Sequence, residues 1–152
     1  MIKVNIKTDE GTFVPLYETS LFSGFDLMAK SFKKLFKGDR EVFLTKKLQQ
    51  SMSEGYITLR GFERVLIGTG LYIEIPESYE LQIRDKKSNS LKKGLMVAGS
   101  PMTIDANYKG ELSVALVNNS PFLCKIRLGE VVAQGVAGRI QHISWNHIVD
   151  NT

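Results

Sequence analysis

The order of apolar and turn residues predicts an all-β domain. Short runs rich in Val, Ile, Leu and Tyr recur along the chain, and Gly, Pro, Asn and Asp interrupt them at close intervals. Almost no helical periodicity separates one run from the next. Strands this frequent favour an antiparallel sandwich or barrel over a parallel α/β sheet, because each parallel crossover needs a long helical connection.

Taken in order, residues 2–6 alternate apolar and polar and read as the first strand. Residues 30–55 are the exception to the β pattern. Phe32, Leu35 and Phe36 fall at helical spacing, as do Leu44, Leu48 and Met52, with Lys and Gln between them. The spacing predicts one or two amphipathic helices, an inserted helical hairpin covering part of the β core. A basic docking surface for a protein partner is the second reading of the same residues. Strand texture resumes at 57–59, 64–75 and 79–83, and again at 112–117, 123–128 and 131–136. Asn118-Asn119-Ser120-Pro121 and Leu128-Gly129-Glu130 supply the turns between the last three. Residues 99–111, GSPMTIDANYKGE, look like a strand turning back on itself: Ser100-Pro101 a turn, Thr103-Ile104 a short strand, Asp105-Ala106-Asn107 a second turn. Asp105 then stands at the mouth of a hairpin, as a turn former or as a catalytic base.

Composition limits the function classes. The 152 residues carry 20 Lys and Arg against 16 Asp and Glu, with 43% hydrophobic residues, which is one ordinary domain spanning 1–152. The single Cys124 cannot form an internal disulfide, and with two histidines it cannot build the usual four-ligand zinc site. No apolar run approaches the ~20 residues of a membrane helix, so neither a membrane span nor secretion is expected, and a cytoplasmic, reducing setting is. Residues 30–55 hold seven cations against three anions, a surplus equal to that of the whole chain. The rest is balanced, and no nucleic-acid-binding face is expected. His142 and His147 suit no shared metal site, Cys124 reads as a small core residue, and Trp145 as core or interface packing.

With these residues in place, the sequence resembles the trimeric dUTP pyrophosphatases (dUTPases), motif by motif and in order. Residues 15–29 (PLYETSLFSGFDLMA) are similar to the family's first motif, 57–84 to its middle strands, and 86–95 (KKSNSLKKGL) stand at the second motif. Residues 103–111 (TIDANYKGE) are similar to the third motif and 129–134 (GEVVAQ) to the fourth. The resemblance implies a jelly-roll, β-clip subunit and a homotrimer whose active sites are shared between chains. It implies cleavage of dUTP to dUMP and pyrophosphate, with Mg²⁺ on the triphosphate and Asp105 activating the attacking water. Tyr108 would pack beneath the deoxyribose, Gln134 would contact phosphates, and Asp26 would support the metal through water. Gly99 and Ile104 would belong to the backbone that reads the base. Three departures accompany the likeness: Lys86 or Lys87 with Ser88 replaces an arginine-serine pair, Gly99 replaces an asparagine, and no glycine-rich aromatic fifth motif follows Gln134. They leave a non-catalytic nucleotide- or protein-binding regulator as the alternative. Deamination is disfavoured, since Ala115 stands where the related deaminases carry a glutamate.

Overall fold

The computed structural model describes residues 2–42 and 46–149, and its regular structure is mostly β-strand with two short helices. In chain order the elements are β1 (Asn5–Thr8), β2 (Phe25–Met28), β3 (Ser31–Lys37), β4 (Arg40–Val42), α1 (Lys46–Glu54), β5 (Tyr56–Leu59), β6 (Arg64–Gly68) and β7 (Leu71–Glu74). They continue with β8 (Tyr79–Asp85), α2 (Lys87–Lys93), β9 (Leu95–Val97), β10 (Met102–Ile104), β11 (Ser113–Asn118), β12 (Cys124–Arg127) and β13 (Val131–Arg139).

Two antiparallel sheets carry the fold, one of four strands in the order β10-β8-β13-β2 and one of five in the order β4-β3-β6-β11-β9. The ribbons β1-β7 and β12-β5 complete it. Alternation explains how the sheets enclose one core. Leu27, Leu81 and Ile83 from the first sheet and Leu35, Val65, Ile67, Val114 and Leu116 from the second belong to a single cluster of buried side chains. Cys124 lies in that cluster, and its burial pushes the thiol pKa up, so it stays protonated and unreactive.

Residues 31–37 correct the helical expectation: they form an interior strand of the second sheet, next to its edge and paired with β6 and β4. The physical reason is a β-bulge. Ser31 pairs with Gly68 and Phe32 with Ile67, but the next pair is Lys34 with Leu66, so Lys33 is an extra residue without a partner on β6. The extra residue moves the inward positions from two apart to three apart. Phe32 and Leu35 therefore both reach the core and imitate helical spacing. The second half of the expected hairpin is a helix, α1, with Leu48 buried against the core and Met52 exposed; Leu44 lies outside the described residues. The segment's charge is partly neutralised, since Lys33 pairs with Glu111, Lys34 with Glu41 and Lys37 with Glu63. Truncation of the fully buried Leu35 to Ala is expected to cost about 2–5 kcal/mol, measurable by urea unfolding. A value below about 1 kcal/mol would return residues 31–37 to the role of a peripheral flap.

The stretch 99–111 also departs from expectation. β10 pairs with β8 in the first sheet, whereas β11 pairs with β6 and β9 in the second. Residues 103–111 thus form a crossing between sheets rather than a hairpin, with the turn at Asp105 to Tyr108 as its corner.

Candidate active site

Two clusters hold the expected site residues. The first lies on the outer face of the four-stranded sheet. Gln134 of β13 stands opposite Asp26 of β2 on one side and Arg84 of β8 on the other, and cross-strand partners point to the same face. The period of two carries that face on from Arg84 to Lys86. Lys86 forms an ion pair with Asp26 Oδ1, and both side chains are more than a third exposed. Gln134 Nε2 donates to the Asp85 carbonyl at 3.1 Å, while Asp85 Oδ1 accepts the Val97 backbone N–H at 2.5 Å. The chain is thus pinned at Asp85 as it leaves β8 and enters α2. Lys86, Lys87, Ser88, Leu91 and Gln134 line one opening of about 430 Å³. This arrangement concentrates ammonium groups, a hydroxyl and an amide in reach of one anionic ligand.

The second cluster is the corner after β10. Ile104 is buried and anchors the strand end, and Asp105 follows it into solvent. The Asp105 carbonyl accepts the Tyr108 N–H at 3.1 Å, closing the turn, and the carboxylate has no partner among the described residues. Tyr108 lies half-exposed with its hydroxyl donating to the Glu111 carbonyl at 2.7 Å. Gly99 sits one strand earlier, in a turn closed by Ser100 N–H on the Val97 carbonyl at 3.1 Å. Its φ of +80° is a left-handed conformation that a side chain disfavours, and nothing lies within 4 Å of where a Cβ would stand.

Within one chain the two clusters do not meet. Ile104 pairs with Leu81, and Lys86 lies five residues further along the same strand direction, which is about 16 Å at ~3.3 Å per residue. The structure brings Asp26, Lys86, Lys87, Ser88 and Gln134 together and sets Asp105, Tyr108 and Ile104 apart from most of them, whereas Gly99 follows β9 two residues after Val97, whose N–H is held by Asp85 beside the first cluster. Among the described residues no group of three or more His, Cys, Asp or Glu side chains could hold a metal.

The dUTPase family matches residues 50–152. The chain belongs to the dUTPase family. Similar relatives are the deoxyuridine 5′-triphosphate nucleotidohydrolases of Fusobacterium nucleatum, 32% identical over 95% of this chain and 84% of the relative, and of Aquifex aeolicus, 39% identical over 86% and 72%. Among solved structures, the dUTPase of Staphylococcus bacteriophage 80alpha superposes with a TM-score of 0.71 at 17% identity, covering 99% of this chain and 98% of that one. The dUTPase of Streptococcus mutans gives 0.67 at 21% identity, covering 92% and 98%. A mutant dUTPase of Staphylococcus aureus phage phi11, at 0.71, 17% identity and 99% coverage of both chains, coordinates a structural Mg(II) ion. These likenesses establish the jelly-roll dUTPase fold for this chain.

Three further side chains adjoin the two clusters without having been candidates from the sequence. Arg84 was legible by its period of two with Lys86, and its guanidinium, bound to Gln82 Oε1 at 2.7 and 3.0 Å, borders the Asp26 and Gln134 row. Asp85 and Glu111 act through backbone contacts to residues distant in sequence, which no local pattern announces. Trp145, expected in a core or an interface, is 83% exposed on the segment after β13, and both histidines are exposed with it.

Proposed function

We propose that this dUTPase-family chain is a dUTP nucleotidohydrolase that works as a homotrimer. The separation of about 16 Å along β8 between Leu81, the partner of Ile104 next to Asp105, and Lys86 carries this reading. A general base must lie within hydrogen-bond reach of the water that attacks the phosphorus whose oxygens the cations hold. Asp105 of one chain therefore serves the Lys86, Lys87, Ser88 and Gln134 cluster of another. Exposed Phe13, Leu16, Leu21 and Phe22, together with Trp145 and Ile148, leave apolar surface that association would cover.

Asp105 takes a proton from water as the water oxygen bonds to the α-phosphorus. The bond from that phosphorus to the bridging oxygen breaks, and dUMP and pyrophosphate leave. Lys86, Lys87 and Arg84 offset the charge of the phosphates, while Ser88 and Gln134 hydrogen-bond to them. Tyr108 packs beneath the deoxyribose, and the backbone near Gly99 and Ile104 reads the base. The donor set fits magnesium, because the half-exposed Asp26 has Oδ2 free beside Lys86 and Mg²⁺ characteristically binds through one or two carboxylates plus substrate phosphates. When bound, the ion supplies charge neutralisation on the triphosphate. A cytoplasmic setting, with the lone thiol buried and reduced, accords with this role.

The test is pyrophosphate release from dUTP, dCTP, dTTP and UTP with magnesium. Cleavage of dUTP at a kcat/KM at least about tenfold above the other three is expected. Absence of cleavage with all four would replace the reading with a nucleotide- or protein-binding regulator.

A further inference from the structure

Glu111 ends the crossing that carries Asp105 and Tyr108, and its two polar ends face different parts of the molecule. Carboxylate Oε1 accepts the Gly70 N–H at 2.8 Å, and Oε2 pairs with Lys33. The Glu111 main-chain carbonyl accepts the Tyr108 hydroxyl at 2.7 Å and the Ser113 hydroxyl at 3.2 Å. Next along the chain, the Leu112 N–H donates to the Leu71 carbonyl at 2.7 Å, and the Thr69 hydroxyl donates to the Leu112 carbonyl at 2.6 Å. Glu111 is thus clamped by its side chain while its backbone holds the tyrosine.

The bulge in β3 supplies the clamp. Lys33 is the unpaired residue there, and a bulge re-aims the side chain it carries. Gly68 makes room at the meeting point. A Cβ there would stand 2.5 Å from both Glu111 Oε1 and Ser31 Oγ and 2.7 Å from Lys33 Cε. The Glu111 side chain is only 12% exposed, so its charge needs a partner that water cannot fully replace. Loss of Lys33 leaves the carboxylate with a single N–H and a reason to swing outward. The Glu111 carbonyl shares its peptide plane with the Leu112 N–H. With the side-chain clamp lost, that plane is held from the Leu112 side alone, and the acceptor of the Tyr108 hydroxyl is fixed less tightly.

We propose that Lys33 and Glu111 are positioning residues for Tyr108: the β3 bulge, acting through the Glu111 backbone, sets where the ring stands and so how strongly the site rejects a ribonucleotide. This rests on the reading of Tyr108 as the side chain beneath the deoxyribose.

The experiment measures discrimination between dUTP and UTP in the full chain, as the ratio of kcat/KM and, independently of turnover, as the ratio of Kd for their α,β-imido analogues. Tyr108→Ala is expected to collapse the ratio. Lys33→Met should lower it by about 3- to 10-fold, the range for one lost hydrogen-bond restraint, while Lys33→Arg keeps it within about twofold. In a Tyr108→Phe background, which lacks the hydroxyl, adding Lys33→Met should change the ratio no further, the mark of residues acting in series. An equal effect of Lys33→Met on both nucleotides would show a merely structural role and overturn the proposal, with the Tyr108 reading intact. A ratio unmoved by Tyr108→Ala would overturn the sugar-packing reading and the proposal together.

Discussion

Asp105→Asn is expected to lower kcat for dUTP hydrolysis by about 10²- to 10⁴-fold while leaving nucleotide affinity and stability nearly unchanged. The asymmetry follows from where the residue stands. Its backbone closes the turn through the Tyr108 N–H, and asparagine tolerates turn geometry as well as aspartate does. Its carboxylate is exposed and has no partner among the described residues, so the substitution removes basicity without breaking a contact. Stability should stay within about 0.5 kcal/mol of the parent, read by urea unfolding. Calorimetric binding of a non-hydrolysable dUTP analogue should return nearly the parent Kd. Turnover within about threefold of the parent would remove Asp105 from the role of base, because general base catalysis contributes at least about a hundredfold.

The parts of this molecule that sequence revealed are those written in short-range periodicity. β-branched runs cut by turn residues placed strand texture at 57–59, 64–75, 79–83, 112–117, 123–128 and 131–136, where β5 to β8 and β11 to β13 lie, while the three-residue β9 (Leu95–Val97) was too short to show. Local turn chemistry put Asp105 in a turn at the mouth of a hairpin; the turn is there, but as the corner of a crossing between sheets. What misled the reading was local pattern with a second cause: Phe32 and Leu35 stand three apart because of a bulged strand, not a helical turn. α2 escaped notice for the opposite reason. Its lone leucine, Leu91, is exposed, and its buried residue is Asn89, whose amide donates to the Val131 carbonyl at 2.9 Å. Such a helix has no apolar stripe to announce it. The fate of the two arms around Asp105 was likewise invisible, since β10 and β11 read alike and only their partners assign them to different sheets. Lys33 and Glu111 meet across about half of the chain, so a basic segment that looks like a docking surface proves to be partly internal wiring.

A mixture of two inactive variants is expected to recover about a quarter of the parent's activity when their chains are allowed to exchange. The variants are Asp105→Asn and Lys86→Glu. The second reverses the charge beside Asp26 and repels the phosphates, without touching the buried core. Neither homotrimer contains an intact site. If each site takes its base from one chain and its phosphate-binding cluster from another, random exchange at equal amounts gives each position one chance in two of being intact. About one site in four then carries both halves. If instead both halves came from one chain, no mixture could restore a site, since every chain lacks one of them. Mild denaturation and refolding of differently tagged chains, tandem purification to prove that mixed oligomers formed, and assay for pyrophosphate release separate the cases. Mixed oligomers with no activity above that of the separate variants would refute the shared site. The distance along β8 would then have to be bridged within a single chain, by a movement of the corner around Asp105 of about 10 Å or more.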